Sequence, residues 1–276
     1  MFVTDASPPS TTYNRDYFLS NACEGLRDYL DGGLAALKTK ELEYLGVGPA
    51  QQFLDLGCGR GETAKEARRL GALVVALDYS LDAVVLTKSL LGDSVVVRAD
   101  AGALPFRAGT FDRVLLGDVI EHVPWDHAKR TLGEVDRVLQ PAGRALVHTS
   151  PNTFFIATVK PVLEVLLRVL RRDEVVHRFR EYDRLRAAMH PNELNPLRLR
   201  KLMKQAGVTA RTWVDRDVVR GGASEWTERL HANRAFRAAG ALAGAWPLRL
   251  VFGNDMFALI TKTDETSRGP GPARSL

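Results

Sequence analysis

The chain has 276 residues, 45% of them hydrophobic and 26% charged, which is enough apolar material for a buried core and excludes a disordered or fibrous polymer. Its 38 Lys and Arg against 33 Asp and Glu leave a net charge of +5, and over this length that falls short of the dense basic face of a dedicated nucleic-acid binder. The two cysteines, Cys23 and Cys58, exclude a disulfide framework and a four-thiolate zinc site, and they point to a reducing, cytoplasmic setting.

Residues 1–15 lack the basic start and apolar run of a secretory signal and read as a flexible polar arm. Residues 16–46 read as helical and are placed to act as a lid; Gly46, Gly48 and Pro49 then break the pattern. From 52 to 150 the apolar runs QFLDLG, LVVALD, SVVVRAD, FDRVLLGD and RALVHTS alternate with the amphipathic segments ETAKEARRL, LDAVVLTKSLL and WDHAKRTLGEVDRVLQ. That rhythm predicts an α/β fold with a Rossmann-like, doubly wound and mostly parallel sheet, because strands covered on both faces need few polar residues. Residues 152–192 read as a helical cap inserted over the sheet. A helix over PLRLRKLMKQAG follows, then the strands VTARTWVDRD and MFALITK as an antiparallel closing pair, with a helical stretch over 224–246 between them. The predicted domain spans 16–262, and residues 263–276 have the composition of a disordered tail. The most apolar stretches, 154–170 and 238–252, are broken by Lys160, Pro161, Glu164, Arg168 and Pro247 and are shorter than a membrane span.

The sharpest motif is LDLGCGRGE, where the first predicted strand ends at Asp55 and Gly57, Gly59 and Gly61 follow at alternate positions before a helix. A dinucleotide fingerprint needs a third glycine three residues after the second, and Glu62 stands there. No G-K-[ST] follows, which excludes a P-loop. Asp78 lies 21 residues after Gly57 at the end of the next strand, where a carboxylate can accept both hydroxyls of a ribose. Asp100, closing the third strand, is placed to accept from an adenine amino group. These positions describe a pocket for an adenosine without phosphates.

In LDLGCGRGE, ALDYS, RADAGALPF, FDRVLLGDVIEHV and EVDRVLQPAGRALVHTSPN, in that order, the sequence resembles the class I S-adenosylmethionine-dependent methyltransferases, strongly over about residues 50–152. The resemblance implies S-adenosyl-L-methionine as cofactor. Asp55, Gly57, Cys58, Gly59 and Gly61 would line its methionine part, Asp78 its ribose, and Asp100 and Ala101 its adenine. Tyr79 would flank the adenine, and the backbone of Gly117 would meet the methionine amino group.

Methyl transfer from a sulfonium is an in-line displacement with a good leaving group, so proximity can carry most of the catalysis and a base is needed chiefly for a hydroxyl acceptor. His122 is the first candidate base and His190 the second; His148 qualifies by position alone. A helical turn over Asp118-Val-Ile-Glu121-His122 would bring three ligand-type side chains onto one face. This run is similar to the E-x-x-E-H of ubiquinone-biosynthesis O-methyltransferases, the nearest group in motif, where it is associated with a divalent cation. Asp118 replaces the first Glu and shortens the reach, so a cation is admitted but not favoured.

Residues 154–186 mix Phe154, Phe155, Ile156, Val162, Leu163, Leu166 and Leu167 with eight Lys and Arg side chains, Lys160, Arg168, Arg171, Arg172, Arg178, Arg180, Arg184 and Arg186. Such a segment suits a roof over an apolar acceptor, or peripheral contact of residues 154–172 with an anionic membrane, or an ordinary amphipathic cap. The expected reaction is O-methylation of a small or lipid-linked acceptor in small-molecule biosynthesis. Nucleic-acid methylation is an alternative, though no N-P-P-Y or D-P-P-Y segment is present. A non-catalytic protein that binds S-adenosylmethionine is the alternative from another class.

Overall fold

A computed structural model describes residues 10–20, 23, 25–169, 171–215, 238 and 241–263. Seven strands form one sheet: β1 (Gln52–Leu56), β2 (Leu73–Asp78), β3 (Val95–Arg98), β4 (Phe111–Gly117), β5 (Leu139–Thr149), β6 (Ala210–Val214) and β7 (Met256–Thr261), in the order β3-β2-β1-β4-β5-β7-β6. The first five run parallel, and β7 is antiparallel to both β5 and β6. The strand order reverses between β1 and β4, and in an open α/β sheet the carboxyl ends of the strands beside such a switch point form a ligand crevice.

The two-residue period of the strands sorts their side chains between two cores. Leu54 and Leu56 of β1 join Val114, Leu116, Ala145, Val147 and Ile260 on one face, together with Leu132 and Val135 of α6 (Trp125–Val138) and Leu199 and Leu202 of α9 (Pro196–Gln205). Phe53, Leu115, Leu146 and Phe257 point the other way, against Leu37, Leu42 and Leu45 of α3 (Ala36–Leu45) and Ala67 of α4 (Glu62–Arg69). Local signals set the ends of these helices. Asn195 accepts from the N–H groups of Leu197 and Arg198 ahead of α9, and Ser80 accepts from Ala83 ahead of α5 (Leu81–Leu91). Gly61 opens α4 at φ 82, and a Cβ there would meet Thr87 Oγ1 of α5 at 2.8 Å, so only glycine lets the two helices approach.

Several elements differ from the expectation. Residues 16–46 form three short helices, α1 (Arg15–Phe18), α2 (Leu26–Leu30) and α3, preceded by a 3₁₀ turn at Ser10–Thr12. The arm is thus seated on the domain from Ser10 onward, with the Ser80 hydroxyl donating to the Tyr13 carbonyl at 2.5 Å. β3 ends at Arg98, which leaves Asp100 in the following loop, and β5 starts five residues before RALVHTS. The insertion consists of a π-helical turn (Phe155–Val159), α7 (Lys160–Val169) and α8 (Asp173–Met189). A last short helix, α10 (Arg249–Phe252), precedes β7. The helical stretch expected over 224–246 and the tail over 263–276 lie mostly outside the described residues.

What ties the N-terminal segment to the sheet is Arg60, 1% exposed in the glycine turn. Its Nη1 donates to the carbonyls of Phe18 (3.0 Å) and Cys23 (3.3 Å), while Nε and Nη2 donate to Glu62 Oε1, which also accepts from Lys38 Nζ at 2.9 Å. Burial alone would neutralise Glu62, yet Lys38 and Arg60 outweigh it and hold the carboxyl below its usual range. Removing one partner of such a buried set leaves the others uncompensated. Arg60→Met is expected to cost about 3 kcal/mol of stability, read as a lowered urea midpoint, and to expose the arm to limited proteolysis before the sheet unfolds.

Candidate active site

A cavity of about 550 Å³ opens at the carboxyl ends of β1, β2 and β4, within the size range of small-molecule sites. Its walls come from the glycine turn, the loops after β2, β3 and β4, the N-terminal arm, and the residues that follow α8. Asp55, Gly57, Cys58, Gly59, Asp78, Tyr79, Asp100, Ala101, Gly117, His122 and His190 all line it. Gly61 does not; it serves the α4–α5 contact described above.

Asp55, next to last in β1, sits inside the core wall, and its Oδ2 is buried without a hydrogen-bond partner among the described residues. Burial pushes its carboxyl up to about 7; Lys38 pulls against this, and the charges of Glu62, Glu41 and Asp78 add to it. Asp78 is half-buried, and its two oxygens accept from the N–H groups of Gly59 (3.0 Å) and Ser80 (2.8 Å), which orient the carboxylate and partly offset the rise that burial causes. At Gly57, φ is 85° and a Cβ would lie 2.4 Å from Val119 Cγ2, so the floor of the cavity tolerates only glycine. Asp100 is more engaged than its position suggested: its Oδ1 accepts from the N–H of Gly102 at 2.7 Å and lies 2.8 Å from His127 Nε2.

At the far end, His122 Nδ1 stands 3.0 Å from the Tyr13 hydroxyl and 3.2 Å from the Met189 carbonyl oxygen, and its ring meets that of His190 edge-on at 4.6 Å. Burial lowers the His122 pKa. His148 is fully buried below, its Nδ1 3.1 Å from Glu41 Oε1 and 3.2 Å from Asp118 Oδ1, and its Nε2 3.3 Å from Asp255 Oδ1. Burial opposes its charge, but the carboxylates led by Asp118 prevail and hold the imidazole protonated.

The helical turn expected over 118–122 does not form. Asp118 sits at φ 52, and the chain passes through bends and turns to α6. Asp118 therefore faces His148 and Ser150, Glu121 turns inward to accept from the Thr149 hydroxyl at 3.0 Å, and His122 faces Tyr13. The three side chains do not converge, and among the described residues no group of three His, Cys, Asp or Glu is arranged to hold a metal ion. Tyr13, Tyr17, Phe18, Lys38, Glu41 and Arg60 also line the cavity and were missed. Of these, only Arg60 had a signal in the sequence, as a charged residue inside the glycine motif.

Residues 54–147 match the family model described as "Methyltransferase domain". The chain is 31% identical over 129 residues to a demethylmenaquinone methyltransferase of Renibacterium salmoninarum, covering 47% of this chain and 54% of that protein. It is 35% identical over 130 residues to one of Mycolicibacterium paratuberculosis, covering 46% and 54%. The chain thus spans about half the length of the curated relatives it matches. Residues 54–147 thus form a methyltransferase domain, of the class I S-adenosylmethionine-dependent kind. A structure of Haemonchus contortus phosphoethanolamine N-methyltransferase 2 in complex with S-adenosyl-L-methionine shares this fold, with a TM-score of 0.59, 16% identity and coverage of 91% of this chain and 60% of that one.

The cavity fits S-adenosylmethionine on its own chemistry. A cofactor carrying a sulfonium and an ammonium suits the orphaned Asp55 oxygen; a ribose suits Asp78, whose backbone donors pre-aim its acceptors; and a floor closed to any Cβ suits close approach by a ligand. The pH dependence follows from Asp55. Its raised pKa means that the free protein carries a proton there below about 7, so a cationic ligand group must displace it. The same shift favours the free fold at low pH, an advantage fully present below the unfolded value near 4 and lost as the pH rises through about 7. Affinity for S-adenosylhomocysteine, which keeps the ammonium, is therefore expected to rise through neutrality by up to ~10-fold per pH unit, and Asp55→Asn is expected to flatten that profile in titration calorimetry.

Proposed function

We propose that this protein transfers the methyl group of S-adenosylmethionine to a hydroxyl on a small, lipophilic acceptor, with His122 taking the acceptor's proton. The observation that carries this reading is the pairing of His122 Nδ1 with the Met189 carbonyl in the cavity wall. A carbonyl only accepts, so Nδ1 bears the hydrogen and Nε2 is left as a base. The Tyr13 hydroxyl oxygen shares the same hydrogen, and the lowered pKa keeps the ring neutral at neutral pH.

When bound, S-adenosylmethionine supplies an electrophilic methyl on a good leaving group. The chain's own residues bind, orient and exclude water. Asp55 meets the cationic end, Asp78 the ribose, the loop of Asp100 and Ala101 the adenine edge, and half-exposed Tyr79 covers it. Tyr17 and Phe18 close the cavity from the arm. His190 flanks the base, and its edge-on contact restricts the swing of the His122 ring.

A second reading keeps the same proton removal and changes the atom that attacks. The two named relatives are demethylmenaquinone methyltransferases, which favours a quinol-like ring, and deprotonating such a hydroxyl delivers electron density to the neighbouring ring carbon as well as to oxygen. Incubation with ¹³C-methyl cofactor and phenolic or quinol acceptors separates the two, because O-methyl and C-methyl products differ in carbon chemical shift. His122→Gln is expected to lower kcat about 10²- to 10⁴-fold while leaving S-adenosylhomocysteine affinity unchanged, and to abolish the acidic limb of the rate profile. An unchanged kcat with every acceptor turned over would remove His122 from the chemistry.

A further inference from the structure

Helix α7 carries apolar side chains on two of its sides. Leu167 is buried and Leu163 half-buried against the protein, whereas Val162, Val165, Leu166 and Val169 are 69%, 59%, 52% and 73% exposed. At spacings i, i+3, i+4 and i+7, these four form a stripe about 100° wide along the outward side. None of them lines the cavity, so substrate binding does not account for the stripe. Phe154, Phe155 and Ile156, which the sequence groups with it, are half-buried.

Two further features accompany the stripe. Arg168, Arg171 and Arg172 are exposed at and beyond the carboxyl end of α7, and with Lys160 against Glu164 they give residues 160–172 a surplus of three positive charges. α10 packs against the Phe155–Val159 turn that leads into α7, and the segment preceding α10 exposes Leu242 and Trp246, at 65% and 70%. An apolar stripe followed by arginines, in a protein that also exposes a tryptophan, matches a bilayer interface, where acyl chains take the apolar side chains and lipid phosphates attract the cations. A second protein is a poorer fit, since stable interfaces bury about 800 Å² per partner around a charge-depleted centre, and a ten-residue helix offers one narrow stripe.

We propose that α7 docks this protein on an anionic lipid bilayer, with the Val162–Val169 stripe in the headgroup–acyl boundary and the arginines among the phosphates. The docked helix is mechanically joined to the site. Lys160 of α7 pairs with Asp183 of α8, and Met189 at the end of α8 supplies the carbonyl that orients His122. A surface of this kind brings the cavity to the phase in which a lipophilic acceptor resides.

Sedimentation of the full-length protein with vesicles tests this. Pelleting is expected with phosphatidylcholine–phosphatidylglycerol vesicles, weaker pelleting with phosphatidylcholine alone, and a decline with added salt. Val165→Asp combined with Leu166→Asp is expected to lower partitioning at least ~10-fold, with melting temperature and S-adenosylhomocysteine affinity unchanged; Val162→Ser with Val169→Ser serves if the first pair does not fold. Arg171→Glu is expected to weaken binding to the anionic vesicles only. Wild-type protein that binds S-adenosylhomocysteine yet stays in the supernatant with both vesicles overturns the proposal. So does a stripe variant that pellets like the wild type, or a dimer lost in the stripe variant without any vesicle binding.

Discussion

The structure is organised around carboxylates held out of water at one edge of a parallel sheet. Asp55, Asp78 and Glu121 lie at or just beyond strand ends, and burial raises the pKa of each. Helices on both faces and an arm across the crevice impose that burial, and the described chain answers it unevenly. Asp78 has two backbone donors and Glu121 has Thr149, but Asp55 retains a buried oxygen with no hydrogen-bond partner. A desolvated acid of that kind is costly in the free protein and strengthens any cation that reaches it. The free energy withheld from folding at Asp55 becomes available for binding.

The arm is what makes the edge a cavity. Arg60 holds the carbonyls of Phe18 and Cys23 with the same guanidinium that pairs Glu62, so the turn that forms the cavity floor also anchors its cover. Tyr13 continues that cover to His122, and the carbonyl of Met189 meets the same imidazole nitrogen from the insertion. Segments more than a hundred residues apart in sequence thus meet at one side chain. Movement of either the arm or the insertion would change the partners of the His122 ring.

Legibility from sequence followed the range of the interaction involved. β1, β2, β4 and the helices α4, α5 and α6 were readable because two-residue and 3.6-residue apolar periods encode which face is buried, and the cavity residues at their ends came with them. Asp118–His122 departs from the expected helical turn: the i, i+3, i+4 spacing of Asp118, Glu121 and His122 fits one helix face, but Asp118 takes a left-handed backbone conformation after β4 and Glu121 lies inward. The contact of Asp100 with His127, brought over on α6, had no signal in the sequence. In the insertion, amphipathicity was evident while its orientation was not. The residues left outward are Val162, Val165, Leu166 and Val169 rather than Phe154–Ile156.

By itself, the sequence determined the doubly wound sheet, the glycine turn and the acids placed along successive strand ends, because these depend on local backbone geometry and short-range periodicity. Tertiary structure alone decided that Tyr13, Lys38 and Glu41 belong to the cavity wall, that His148 sits among Glu41, Asp118 and Asp255, and that one side of α7 stays outward. Each of these depends on which distant segment packs where. That choice is made by the summed burial of the whole chain, and no short window of residues contains it.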